Sequence, residues 1–349
     1  MAVADSAPPQ VRFREPQIEM AHGAGGIASR RLVEGLFAPL LFSTPNPSLN
    51  DAARLDIGGV RLAMTTDSFV VKPLRFPGGS IGELAINGTV NDLAVSGAKP
   101  EAIVVSFVLE AGLPTDVLEA EVRAMSRAAQ QAGVAIVGGD TKVVEHGKAD
   151  HMYISTTGIG SYLPGVGIDA RSVHIGDKVL LSGPIGDHGI TILLARGELD
   201  FEADLRSDTR SVFPMVEAMA REAAPGIHWM RDPTRGGVAT SLNELARDCG
   251  LGIHIFEDEI PVRDSVRGAC ELLGLDPLHI ANDGQFLAVL APEYADAAFN
   301  ALCQCPGGES AVILGEVQPQ PAGSVLVTTR YGGSRIVDML VGDPLPRIC

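Results

Sequence analysis

From residue 80 to residue 160 the chain alternates between two hydrophobic periods, which restricts it to folds where helices cover a sheet. Ser80-Ile81-Gly82-Glu83 has the form of a capping box and predicts a helix through Ser96 that stops at Gly97, with Pro100 beyond. Glu101 to Leu109 reads as a buried strand, Thr115 to Ala132 as an amphipathic helix, Val134 to Val137 as a strand and His151 to Gly160 as another. Upstream, a helix is expected over Ile27 to Phe37, ending at Pro39, then a loop over Ser43 to Ser48. A hairpin follows across Gly58-Gly59, pairing Ala53 to Ile57 with Val60 to Thr65.

Between Leu163 and Ile175 the pattern lapses, and strand and helix units resume at Lys178. Helices are expected near His188 to Ala195, Gly236 to Asp248 and Pro261 to Leu273, and strands near Ile253, Phe286 to Leu290, Ala311 to Leu314 and Val325 to Thr329. At 349 residues and 46% hydrophobic, the chain exceeds the usual single-domain ceiling and can fill two cores. The expected division is a disordered lead-in over 1–17, an α/β domain over 18–165, an α+β domain over 166–337 and a flexible tail over 338–349.

The net charge of −16, from 27 basic and 43 acidic side chains, disfavours sequence-independent binding to nucleic acid. The longest largely apolar stretch, Ala102 to Leu109, is far short of the roughly 20 residues that cross a bilayer. The five cysteines are odd in number and irregularly spaced, which fits a reducing cytoplasm. Cys303-Gln304-Cys305 lacks a partnering pair for a metal and reads as structural thiols.

No Walker A loop or G-x-G-x-x-G motif occurs. Candidate chemistry lies in glycine clusters and acids at element ends. His22-Gly23-Ala24-Gly25-Gly26 precedes a helix, where backbone N–H groups can face an anion, although an ordinary glycine turn has the same signature. Asp67, Asp92 and Asp140 are each placed to reach one edge of the sheet, where Mg²⁺ and phosphates would offset their burial; as single residues they also suit caps and turns. Lys142 beside Asp140 is a phosphate clamp or a surface ion pair. Asn87 and Asn91 share one face of an otherwise apolar helix, which by itself reads as a polar face toward solvent. Arg231-Asp232-Pro233-Thr234-Arg235-Gly236-Gly237 opens a helix with Thr234 as its cap and offers a second anion site. Asn282-Asp283-Gly284 reads as an ordinary turn. Cys349 ends a proline-containing tail, either as an incidental terminus or as a thiol that carries a group between sites.

Thr65-Thr66-Asp67-Ser68, Phe76-Pro77-Gly78-Gly79, Gly88-Thr89-Val90-Asn91-Asp92-Leu93-Ala94, Gly139-Asp140-Thr141-Lys142, Gly186-Asp187-His188-Gly189, Asp232 to Gly237 and the terminal Pro346-Arg347-Ile348-Cys349 together resemble the HypE family of [NiFe]-hydrogenase maturation, across residues 18 to 349. The resemblance implies the two-domain fold of the aminoimidazole ribonucleotide synthetase-like superfamily: an N-terminal ATP-binding α/β domain that dimerises through its sheet and a ferredoxin-like α+β second domain. It implies an ATP-dependent carbamoyl dehydratase that converts an S-carbamoyl group on Cys349 to a thiocyanate. ATP would be bound by His22, Gly23, Gly25, Gly26, Asp67, Asn87, Asn91, Asp92, Gly138, Gly139, Asp140, Thr141, Asp232, Thr234 and Arg235. Mg²⁺ would sit on Asp67, Asp92 and Asp140, with Cys349, Lys142 and Asp283 in catalysis. The family more often carries Asn-Glu-Gly where this chain has Asn282-Asp283-Gly284. The implied partners are a second copy of the chain, a HypF-type carbamoyltransferase and a HypC–HypD complex. A small-molecule kinase or synthetase of the same superfamily, or a non-catalytic thiol or metal carrier, would use part of this motif set.

Overall fold

The computed structural model describes residues 12–42, 49–197, 203–342, 345 and 347–349. The first half forms β1 (Ala53–Ile57), β2 (Val60–Phe69), a short ribbon of β3 (Arg75–Phe76) and β4 (Gly79–Ser80), β5 (Ala98–Glu110), β6 (Ala135–Val144) and β7 (Met152–Tyr162). The five long strands make one sheet in the order β1-β2-β7-β5-β6, antiparallel except for the β5–β6 pair, so β6 is an edge strand. One face is covered by the helices Ile81–Val95 and Thr115–Ala132. The opposite face is open and presents Met64, Val104 and Ile159 to solvent. Pairing puts these three on one face: Met64 opposes Ile159, Ile159 opposes Ala102, and Val104 lies two residues along from Ala102.

The helix Ile81–Val95 is buried at all but Glu83 and Asp92, because the sheet, a second helix and the other domain surround it. Asn87 and Asn91 are therefore buried, contrary to the solvent-facing reading. Asn91 Nδ2 donates to the carbonyls of Arg210 and Asp283, both at 3.0 Å, and its Oδ1 accepts the Val212 N–H at 2.8 Å. The expected capping box does not form, since Ser80 makes no side-chain cap. The buried Glu121 of the neighbouring helix instead accepts the Gly82 N–H at 3.1 Å.

The second half contributes β8 (Lys178–Leu181), β9 (Ile227–Arg231), β10 (Gly252–Phe256), β11 (Leu287–Leu290), β12 (Val312–Gln318), β13 (Val325–Thr328) and β14 (Ser334–Val337). They form a mixed sheet in the order β14-β13-β10-β12-β8-β11-β9. The helix Gly237–Cys249 packs with β10 and β13, and Phe213–Ala223 packs on Pro292–Cys303 while reaching the helix Ile81–Val95. The sequence reading missed these last two helices and β9. Both helices open with proline in the first turn, a start signal that their short apolar periods do not make obvious.

Other boundaries move for local reasons. Helical structure runs from Gly26 past Pro39 to Leu41, because a wide turn over Val33–Phe37 places Pro39 in the first turn of a new segment. β6 continues through Gly138-Gly139-Asp140 instead of stopping before it. Its pairing with β5 skips Val137, where the register shifts between Ile103 and Val104. The described part of the lead-in is not free: Phe13 packs edge-on against His22 at 5.2 Å, and Glu15 lies 2.7 Å from His22 Nε2. The expected loop over Ser43 to Ser48 and residues 1–11 lie outside the described residues.

Asn91→Ala leaves two carbonyls and one N–H unpaired inside the protein and is expected to cost about 2–4 kcal/mol. Asn87→Ala, which removes one 3.3 Å bond to Thr209, should cost less. Urea denaturation checks both, and equal losses would refute the assignment of Asn91 as the interdomain tie.

Candidate active site

A cavity of about 360 Å³ lies where the two halves meet, walled by the glycine loop, β2, the helix Ile81–Val95, the loop before Gly237 and the chain terminus. Oxygen atoms of Asp51, Asp92 and Asp232 lie within 4.8 Å of one another on its wall. Burial pushes Asp92 well above the ordinary carboxylate range, and repulsion from Asp232, Asp51 and Asp67 adds to it, against a 2.7 Å hydrogen bond from Thr65. Burial raises Asp232 strongly as well, reinforced by Asp51. Asp51 is also raised by burial, although Arg231 Nε at 3.2 Å opposes this. So concentrated an array of carboxylate oxygens fits a hard divalent cation.

Asp51 was missed from sequence because it precedes its strand instead of ending one. The predicted metal set of Asp67, Asp92 and Asp140 is not brought together. Asp67 pairs with Thr156, which pairs with Val105, placing all three on the covered face of the sheet. Asp140 pairs with Ser106, the next residue of β5, and so lies on the open face. Asp140 and Lys142 form an exposed ion pair at 3.1 Å, and Gly138, Gly139 and Thr141 share their exposed edge. Asn87 and Asn91 are structural ties beside the cavity and do not line it.

His22, Gly23, Gly25, Asp67, Asp92, Asp232, Thr234, Arg235, Asp283 and Cys349 do converge on the cavity. Gly26 lies beneath the glycine loop, where a Cβ would come within 2.4 Å of the Leu340 carbonyl. Arg235 joins the parts, donating to the Gly23 carbonyl and to Asp67, both at 3.2 Å. The negative charge carried by Cys349 is the largest cause of its raised pKa, ahead of the opposing effect of burial. The helix Gly237–Cys249 is capped by Gly236 in the left-handed region and not by the Thr234 side chain.

Asn282-Asp283-Gly284 is no surface turn. Asn282 is fully buried, accepts the Gly186 N–H at 2.7 Å and donates to the Pro233 and Ile280 carbonyls at 3.1 and 2.9 Å. Asp208 accepts the N–H groups of Asp283 and Gly284 at 3.1 and 3.2 Å, and burial raises it to about 6 despite the nearby His188. A Cβ on Gly284 would come within 1.8 Å of the Asp208 carbonyl, so only glycine fits there.

The tail is seated, where a free arm was expected. Leu345 and Ile348 are buried, Arg347 turns through a φ of 59° and its guanidinium meets Asp150 at 2.6 Å. The Arg347 carbonyl accepts from Arg196 at 2.9 Å, the Ile348 carbonyl from His188 Nε2 at 2.8 Å and a main-chain oxygen of Cys349 from the Val70 N–H at 3.0 Å. Away from this site, His174, Asp177 and His228 also cluster. There Asp177 Oδ2 already accepts the His174 N–H at 2.8 Å and lies 2.7 Å from His228 Nδ1, tying β9 to the turn before β8.

Residues 49–162 match the AIR synthase related protein family, N-terminal domain, and residues 174–328 its C-terminal domain. The chain is 48% identical over 337 residues to carbamoyl dehydratase HypE of Azotobacter vinelandii, covering 97% of this chain and 98% of that one. It is 42% identical to carbamoyl dehydratase HypE of Escherichia coli K12, covering 95% and 99%. Among solved structures it resembles HypE in complex with ATP (TM-score 0.80, 47% identity, 95% and 99% coverage) and HypE in a HypE–HypF complex (TM-score 0.84, 43% identity, 88% and 99% coverage). A thiamine monophosphate kinase, ThiL, complexed with AMPPCP and TMP shares the fold at 20% identity (TM-score 0.68, 90% and 96% coverage).

Because the folded-state pKa values of Asp92 and Asp232 are raised, the folded chain retains protons that the unfolded chain releases above about pH 4. Metal-free stability should therefore fall as pH rises from that value through the folded-state pKa values. Asp92→Asn, which cannot ionise, should reduce this decline and leave the metal-free protein more stable than wild type at pH 8. Urea denaturation in EDTA at pH 5 and pH 8 tests this, and identical declines in both proteins would show that folding does not raise Asp92.

Proposed function

The chain belongs to the HypE family of AIR synthase-related carbamoyl dehydratases, and from that membership we propose that it uses ATP in this cavity to dehydrate an S-carbamoyl group on Cys349 to a thiocyanate, supplying cyanide for hydrogenase maturation. The observation that carries this reading is the position of Cys349, which lines the same cavity as the carboxylate cluster.

The reaction balances as R–S–C(O)NH₂ plus ATP giving R–S–C≡N, ADP and phosphate, with one proton released at neutral pH. The carbamoyl oxygen takes the phosphoryl group, its bond to carbon breaks as phosphate leaves, and the nitrogen loses both protons. Phosphorylation turns a poor leaving oxygen into a good one. Asp51, Asp92 and Asp232, with Asp67 beside them, would hold Mg²⁺, whose role is to neutralise triphosphate charge. Arg235 fixes the glycine loop and the charged end of the chain in one frame. Asp283, buried on the cavity wall, would take a proton from the nitrogen.

The proposed assembly is a homodimer formed through the open sheet face, which would cover Met64, Val104 and Ile159. Asp140 and Lys142 lie on the same face and would complete the phosphate site of the partner. A HypF-type carbamoyltransferase would charge Cys349, a HypC–HypD complex would take the cyanide, and the work would be done in the cytoplasm.

Mass spectrometry should find the carbamoyl group on the Cys349 peptide and, after ATP, the loss of one water from that peptide; modification of a different cysteine would refute the tail mechanism. Asp92→Asn and Asp140→Asn should each abolish turnover. If the sites are shared across the dimer, mixing the two variants equally should restore about a quarter of the active sites, because half the dimers are mixed and each has one intact site. No recovery after subunit exchange would place Asp140 outside the partner's site.

A further inference from the structure

We propose that His188 is a positioning residue whose one cavity-facing N–H is captured by the incoming tail, so that Asp283 becomes a free proton acceptor only when Cys349 is in place. This rests on the reading of Asp283 given above and adds to it the device that governs when the carboxylate acts.

His188 is fully buried at the start of the helix Asp187–Ala195. Its ring stands edge-on to Phe76 at 5.7 Å, and its Nδ1 lies 2.8 Å from Ser207 Oγ, which also accepts the Thr209 N–H at 3.1 Å. These contacts fix the ring and occupy Nδ1, leaving Nε2 as the atom that faces the tail. Two acceptors reach it: the Ile348 carbonyl at 2.8 Å and Asp283 Oδ2 at 2.7 Å. A ring nitrogen carries at most one proton, and that proton points along one line. Here it points to the Ile348 carbonyl, while Asp283 Oδ2, itself buried, has no aligned donor among the described residues.

The two arrangements therefore exclude each other. With the tail withdrawn, the N–H is left to Asp283, where a hydrogen bond stabilises the carboxylate and weakens it as a base. With the tail seated, the N–H moves to a peptide carbonyl, and Asp283 loses that stabilisation inside the cavity that receives the thiocarbamate. Because the contact is made to the backbone of Ile348, it reports the arrival of the tail independently of what Cys349 carries.

The test uses the full-length protein with His188→Gln, whose amide can still donate, and His188→Leu, which cannot. Cys349 alkylation by iodoacetamide reports seating, and single-turnover water loss from carbamoylated Cys349 at saturating Mg-ATP reports the seated tail and the free base together. For His188→Leu, alkylation should be about tenfold faster and water loss about 10–100-fold slower, with ATP affinity within about twofold of wild type; His188→Gln should recover much of both rates. Unchanged rates in His188→Leu, or a glutamine variant that melts like wild type yet is as impaired as leucine, would overturn the proposal. If the leucine variant does not fold, the Nε2 proton resonance of His188, identified by its loss in His188→Gln, must shift when the wild-type chain is truncated after Arg347, and an unmoved resonance overturns the proposal equally. A wild type that seats Cys349 through His188 yet never loses water would sink the dehydratase reading and this proposal with it, whereas normal water loss in both wild type and His188→Leu would sink this proposal alone.

Discussion

Like-charge crowding of Asp51, Asp92 and Asp232 in a buried wall is the constraint around which the rest of the molecule is arranged. Each acid comes from a different segment: the stretch before β1, the helix Ile81–Val95 and the loop after β9. Holding them together sets the cost of burying them, and then their mutual repulsion, against the packing of both halves of the chain. Arg231 contributes by pairing with Asp51 and Glu244, and Arg235 by linking Asp67 to the glycine loop. These pairs do not return the acids to ordinary behaviour, since Asp51, Asp67, Asp92 and Asp232 all remain raised. A wall that stays strained after its internal cations are counted is suited to an external one.

The same pleat that assembles this wall keeps Asp140 out of it. Side chains alternate across a strand, and pairing fixes Asp67 and Asp140 on opposite faces. No adjustment of loops within one chain can reunite them. The open face that carries the exposed Asp140–Lys142 pair also carries the uncovered Met64, Val104 and Ile159.

Much of this was legible in the sequence where the signal was local. The helix Ile81–Val95 and the β1–β2 hairpin follow from periodicity and turn chemistry, and the glycine loop, Asp232, Thr234, Arg235 and Cys349 line one cavity. What failed depended on distant partners. Ser80 resembles a cap, but Glu121 from another helix takes the N–H of Gly82. Asn91 looked like a ligand or a solvent-facing polar residue, but three bonds to the other half of the molecule use it fully. Asp283 looked like a turn residue because the tie made by Asn282 to Gly186 and Pro233 spans chain separations that no local pattern reports. Asp51 carried no motif, and only the folded chain brings it to the cluster.

The seated tail sets burial and hydrogen bonding against the loss of backbone freedom. Burying Leu345 and Ile348 stabilises the seated state by about 1.5–3 kcal/mol each, and three hydrogen bonds to main-chain oxygens add about 1 kcal/mol apiece. The Arg347–Asp150 pair is about one-third exposed on each side and contributes under about 1 kcal/mol. Ordering the last residues costs about 1–2 kcal/mol each in backbone freedom alone and so opposes these gains. Several of the tail's contacts are made to main-chain oxygens, so the position of Cys349 is set by the peptide and not by its side chain.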